Sequence, residues 1–146
     1  MIDDDAPNAP PDDFLPAPRF FTLDEARALL PVLTPLLIDL QAEKRALDTV
    51  RAKLATLTPA MRGNGHATEA TAVERQMEEV AGTIVGLISR ITAHGVEVKD
   101  LDRGLIDFPS PRDDRVIYLC WQVGEPTIHY WHETDGGFAG RQPLAP

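Results

Sequence analysis

Apolar residues recur every three or four positions along two stretches of the chain and every second position along a third. From Ala26 through Leu29, Leu33, Leu36 and Leu40, then Leu47, Val50, Leu54 and Leu57, the spacing is that of one helix face. Thr22, three residues before Glu25, makes a capping box, and Asp24 and Glu25 fall in the first turn, where the helix dipole favours acids. Pro31 and Pro35 each remove an amide donor, so a kink near Leu30, or a short helix joined to a longer one, is expected. The stretch TPAMRGNGH, 58–66, reads as a turn. A second seam then runs through Ala70, Val73, Met77, Val80, Ile84, Leu87 and Ile91, and Gly95 stands where a left-handed residue closes a helix. Two such helices predict an antiparallel hairpin that places Leu54 near Ala70, Leu47 near Met77 and Leu40 near Ile84.

After Gly95 the period falls to two. VEVKDLDRGLIDFP reads as two strands around a turn at Asp102, Arg103 and Gly104, and RVIYLCWQ and TIHYW as two more around VGEP. The end, ETDGGFAGRQPLAP, carries a Gly-Gly turn and room for a last short extended piece. The expected class is therefore α+β: a long helical hairpin followed by an antiparallel meander of about four strands. Residues 1–18 hold five aspartates and five prolines, with Phe14 and Leu15 the only bulky apolar side chains after Ile2. That segment buries too little to offset its ordering entropy and reads as a disordered arm. Residues 19–146 read as one domain, helical over 19–95 and a meander over 96–146.

Composition narrows the choice of partners. A net charge of −9 over 146 residues argues against nucleic acid and against anionic membranes, and no apolar run is long enough to span a bilayer. MIDDDAPNAP lacks the basic and apolar regions of a secretory signal, and a single cysteine forms no internal disulfide. Both features fit a reducing cytoplasm.

The specialised side chains gather in residues 116–133, VIYLCWQVGEPTIHYWHE, which hold both tryptophans, both tyrosines, the only cysteine and two of four histidines. A four-residue VGEP loop pairs Gln122 with Thr127, so Cys120 is expected opposite His129 and Tyr118 opposite Trp131 on the working face. Ile117, Leu119 and Trp121 are then expected to pack on the helices together with Ile128, Tyr130 and His132. Cys120 facing His129 is half of a soft metal site or the start of a reactive thiol; it is equally what a small buried cysteine beside an ordinary strand histidine would look like. His132 near Asp100 and Asp107 is a second constellation, with donors suited to iron, manganese or zinc, or else a histidine held structurally by one aspartate. GGFAGR, 136–141, does not open a helix and so is no phosphate loop, although Arg141 is in reach of Glu125 or an anionic ligand. No Ser-His-Asp order or HExxH spacing is present.

FTLDEARALLP, GVEVKDLDRGLIDFP, YLCWQVGE and YWHETDGGFAGRQPL resemble the bacterial domain-of-unknown-function family 2203 over roughly residues 20–144. The resemblance implies a cytoplasmic protein of no agreed activity. It marks Lys99, Asp100, Gly104, Asp107, Phe108, Cys120, Trp121, Glu125, Trp131, His132, Gly137 and Arg141 as the signature, and so favours His132 over His129 as the partner of Cys120.

The function these residues suggest is binding of a small, anionic ligand or one divalent transition metal on the meander. Lys99, Asp100, Asp107, Trp121, Glu125, Trp131 and Arg141 are the ligand contacts, and His132, Cys120 and His129 the metal donors. A second reading is an assembly protein that forms a homodimer by pairing helical hairpins into a four-helix bundle. A third is an enzyme using a metal or the Cys120 thiol.

Overall fold

A computed structural model describes residues 19–57 and 67–145. The acidic arm and the turn at 58–66 lie outside the described residues. Helix α1 (Leu23–Ala55) starts at Thr22, whose hydroxyl accepts from the Glu25 amide while the Glu25 carboxylate accepts from the Thr22 amide, completing the capping box. It runs through Pro31 and Pro35 as one helix, where a short helix joined to a longer one had been a possible outcome. Both prolines are exposed, so the carbonyls they leave unpaired stand on the side that water can reach. Helix α2 (Ala67–Thr92) is closed by Gly95, which has φ of 90° and whose amide donates a hydrogen bond to the Thr92 carbonyl.

The seams meet as the spacing requires. Leu40, Leu47 and Ile84 share one apolar cluster, with Met77 packed against it, and Val50, Leu57, Ala70 and Val73 share a smaller one with Leu54. Among the described helical residues Val32, Ile38 and Val85 are the large apolar side chains left exposed.

Five strands follow, β1 (Glu97–Asp100), β2 (Leu105–Arg112), β3 (Arg115–Gln122), β4 (Tyr130–Glu133) and β5 (Gln142–Pro143), in an antiparallel meander of that order. The fifth, paired with β4, is the short extended piece near the end of the chain. Period two then divides the sheet. Ile106, Phe108, Ile117, Leu119, Trp121 and Trp131 join the helix residues in the main core. Residues Phe21 to Thr22 anchor the start of α1 to the same layer: the Phe21 amide donates to Pro109 O, Ser110 Oγ donates to Phe21 O, and the Phe21 and Phe108 rings meet edge to face at 5.3 Å. On the other side of the sheet Leu105, Asp107, Tyr118, Cys120, Tyr130 and His132 follow by alternation.

One expectation is corrected here. Cys120 pairs with Tyr130, not with His129, and Tyr118 pairs with His132, not with Trp131. The connection after Gln122 is one residue longer than a VGEP loop allows. Glu125 stabilises it, its amide donating to Gln122 O and its carboxylate accepting from the Gln122 amide. Ile128 is fully buried in the core, and its carbonyl accepts from Arg27. Because side chains alternate, one residue of slip exchanges the faces of the whole of β4. Trp131 goes to the helices beside Leu119, and Tyr130 and His132 go to the side that carries Cys120.

Candidate functional site

The ladder builds the site in two rows. Glu97 on β1 pairs with Asp107 on β2, which pairs with Cys120 on β3, which pairs with Tyr130 on β4. The next row sets Tyr118 against His132. Adjacent rows on one face bring Asp107, Cys120 and His132 together, with one donor atom of each lying within 4.8 Å of the others. All three side chains are buried: Asp107 is 1% exposed, Cys120 0% and His132 2%.

His132 is held at both ring nitrogens. Nδ1 lies 2.7 Å from the Glu133 carbonyl oxygen and Nε2 lies 2.9 Å from Asp107 Oδ2. A carbonyl only accepts, so Nδ1 carries a hydrogen. Nε2 then either donates a second hydrogen to a carboxylate or accepts one from a protonated Asp107. In both cases one proton bridges Asp107 and His132. Asp107 Oδ1, also buried, has no hydrogen-bond partner among the described residues. Burial pushes the Asp107 carboxyl above its ordinary value; the adjacent His132 opposes this without cancelling it. Burial also pushes the Cys120 thiol up to about 12, with the neighbouring Asp107 charge adding to the effect and Arg141 opposing it. Left to itself, Cys120 is a protonated, inaccessible thiol at neutral pH and a poor nucleophile.

The cluster opens onto a pocket of about 270 Å³, lined by Lys99, Asp100, Arg103, Leu105, Asp107, Tyr118, His132, Thr134, Gly137 and Phe138. Tyr118 donates to Glu97 Oε2 at 2.8 Å, and its hydroxyl is raised first by burial and then by that bond. Lys99 pairs with Glu97 Oε1 at 2.8 Å and stands 4.8 Å above the Tyr118 ring. Helix α1 holds the β1–β2 turn in place: Gln41 donates to Asp102 O, and Lys44 bridges Asp48 and Asp102. Gly104, with φ of 64°, keeps that turn tight, since a Cβ there would meet Val123 at 2.7 Å.

Residues 19–144 match DUF2203, a family described as an uncharacterised conserved protein. The chain belongs to the DUF2203 family. No curated protein and no solved structure matches it. In this DUF2203 protein the residues expected to form a site separate into two groups. Lys99, Asp100 and Asp107 line the pocket with His132, and Cys120 stands beside them. Asp100 uses Oδ1 to accept from the Arg103 amide, shaping the turn.

The second group does not line the pocket, although Arg141 reaches Cys120 from the side and donates to its carbonyl at 3.4 Å. Trp121 is in the core, its indole N–H donating to Glu125 O. Trp131 is also in the core, with Arg112 over its ring at 4.3 Å. Glu125 and Arg141 pair with each other at 2.6 Å, and Arg141 lies 4.2 Å from the Tyr130 ring centroid. His129 is exposed and packs edge-on against Tyr130. Arg103 and Phe138 were missed as pocket residues. Arg103 sits in a segment whose glycine and aspartates signal only a turn, and Phe138 reaches the pocket through a 3-10 helix (Phe138–Gly140) that has no periodicity to read. Among the described residues no helix is long and apolar enough to cross a membrane.

Proposed function

We propose that this DUF2203 protein binds one divalent transition metal ion, of which zinc suits the donors best, through Asp107, Cys120 and His132. The observation that supports this most strongly is the meeting of a carboxylate, a thiol and an imidazole, all buried, around an Asp107 oxygen with no partner. An apolar core does not gather three such groups without cost, and a cation would resolve each of them at once. It would take the place of the bridging proton between Asp107 and His132, and it would stabilise the Cys120 thiolate that burial otherwise disfavours. The Nδ1 contact with the Glu133 carbonyl fixes the ring so that Nε2 faces the site, as metal-bound histidines require. Donors of a tetrahedral zinc ion lie roughly 3.5 Å apart, so a triangle whose edges are within 4.8 Å must close by at most about 1.3 Å, within the reach of side-chain rotation. Mixed S, N and O donors favour zinc over magnesium or calcium.

Elemental analysis of the purified full chain tests this, together with competition titration against a chromophoric chelator. The expected result is one zinc per chain in the wild type and loss of it in Cys120→Ser and His132→Ala. A wild-type chain that binds no divalent metal under chelator competition would end this reading.

A further inference from the structure

Three protein donors leave one position of a tetrahedral ion to be filled from outside the protein. Asp107 and His132 both line the 270 Å³ pocket, so a ligand completing the ion would come from there, and a volume of about nine water-sized units suits a small molecule and not a polymer. Two cations stand at its rim. Lys99 is oriented by Glu97 and by the Tyr118 ring. Arg103 lies over the Phe138 ring, its guanidinium carbon 4.4 Å from the centroid, and its side-chain N–H groups have no hydrogen-bond partner among the described residues. A flat guanidinium with free N–H groups is suited to a carboxylate or a phosphate. At the floor, however, the unpartnered Asp107 Oδ1 would repel an anion. A divalent cation held there would cap that oxygen and, although the Asp107 carboxylate and the Cys120 thiolate together balance its charge, would offer an anion an open coordination position.

We infer that the pocket receives a small oxyanion, a carboxylate or phosphate-type group, with one oxygen in the open metal position and the others held by Lys99 and Arg103. This rests on the metal reading above and makes anion binding conditional on the metal. Phe138 and Leu105 supply the apolar wall for the remainder of the ligand, which is therefore short.

The full chain loaded with cobalt(II) provides the test, because the visible bands of the ion respond to exchange of its outer ligand. Metal content is measured first, and the loaded protein is then titrated separately with acetate and with methylphosphonate. A saturable band shift with either anion is expected. Lys99→Met and Arg103→Met should each weaken it by about tenfold while leaving cobalt content at one per chain. A response to acetate alone assigns a carboxylate ligand, and a response to methylphosphonate alone assigns a phosphate-type ligand. One cobalt per chain with no saturable shift, or a shift that both variants leave unchanged, overturns the oxyanion site and spares the metal centre. Absence of bound metal overturns both.

Discussion

Along β3 the side chains of Ile117, Leu119 and Trp121 face the helices, whereas Tyr118 and Cys120 between them face away, toward Asp107 and His132. These two faces of one sheet are both buried at their centres, yet they are built on opposite principles. The helix-facing side is apolar and gains stability from every ångström of contact. The other buries a carboxylate, a thiol and an imidazole, which must be desolvated and then find partners. Ion pairs of this kind contribute little net stability compared with apolar residues of the same size, although removing one partner alone is costly. One face therefore holds the sheet together, and the other keeps groups that stability alone does not call for.

The largest effect should come from the helix-facing side. Phe108→Ala, at a fully buried ring, is expected to cost about 4 kcal/mol in urea unfolding. A loss below about 1 kcal/mol would mean that this face is not the core. On the other face, His132→Ala in metal-free protein should cost about 3 kcal/mol, since it leaves the Asp107 carboxyl without its partner. Replacing both as Asp107→Leu with His132→Leu should recover most of that stability while abolishing metal uptake. A double variant as unstable as the single one would show that the pair is structural and would remove the distinction between the faces.

At the edge of the site, Arg141→Met should cost about 2 kcal/mol by leaving the Glu125 carboxylate, which still accepts from the Gln122 amide, without its cationic partner where it holds the β3–β4 connection. Circular-dichroism melts against denaturant measure this. An unchanged midpoint would place the pair among surface bridges of no weight.

The smallest effect concerns Glu97 and is seen in its pH dependence. Burial works against its charged form, but the hydrogen bonds from Lys99 and Tyr118 outweigh this and hold its carboxyl below the ordinary 4.5. A lowered folded value means that the ionised group stabilises the fold above pH 4.5, and that this contribution fades as pH falls through the folded value. The stability gap between wild type and Glu97→Gln should therefore be constant near neutrality and close below pH 4.5. A gap that widens on acidification would reverse the assignment.

Much of this molecule could be read directly from the order of its residues. The helical seams, the capping box at Thr22 and the closing glycine at 95 depend on contacts a few residues apart, which propensity and periodicity govern. Alternation along β3 likewise points Ile117, Leu119 and Trp121 to the core, where they lie.

What only the tertiary structure decided was the register of β4. The two choices differ by one residue in the β3–β4 connection. Local turn chemistry favoured the shorter loop, while the folded chain buries both Ile128 and Trp131 against the helices. That preference belongs to a core assembled from residues as distant as Arg27 and Leu33, and no short window contains it. On it depends whether the imidazole facing Asp107 and Cys120 is His132, and with that the chemistry of the site.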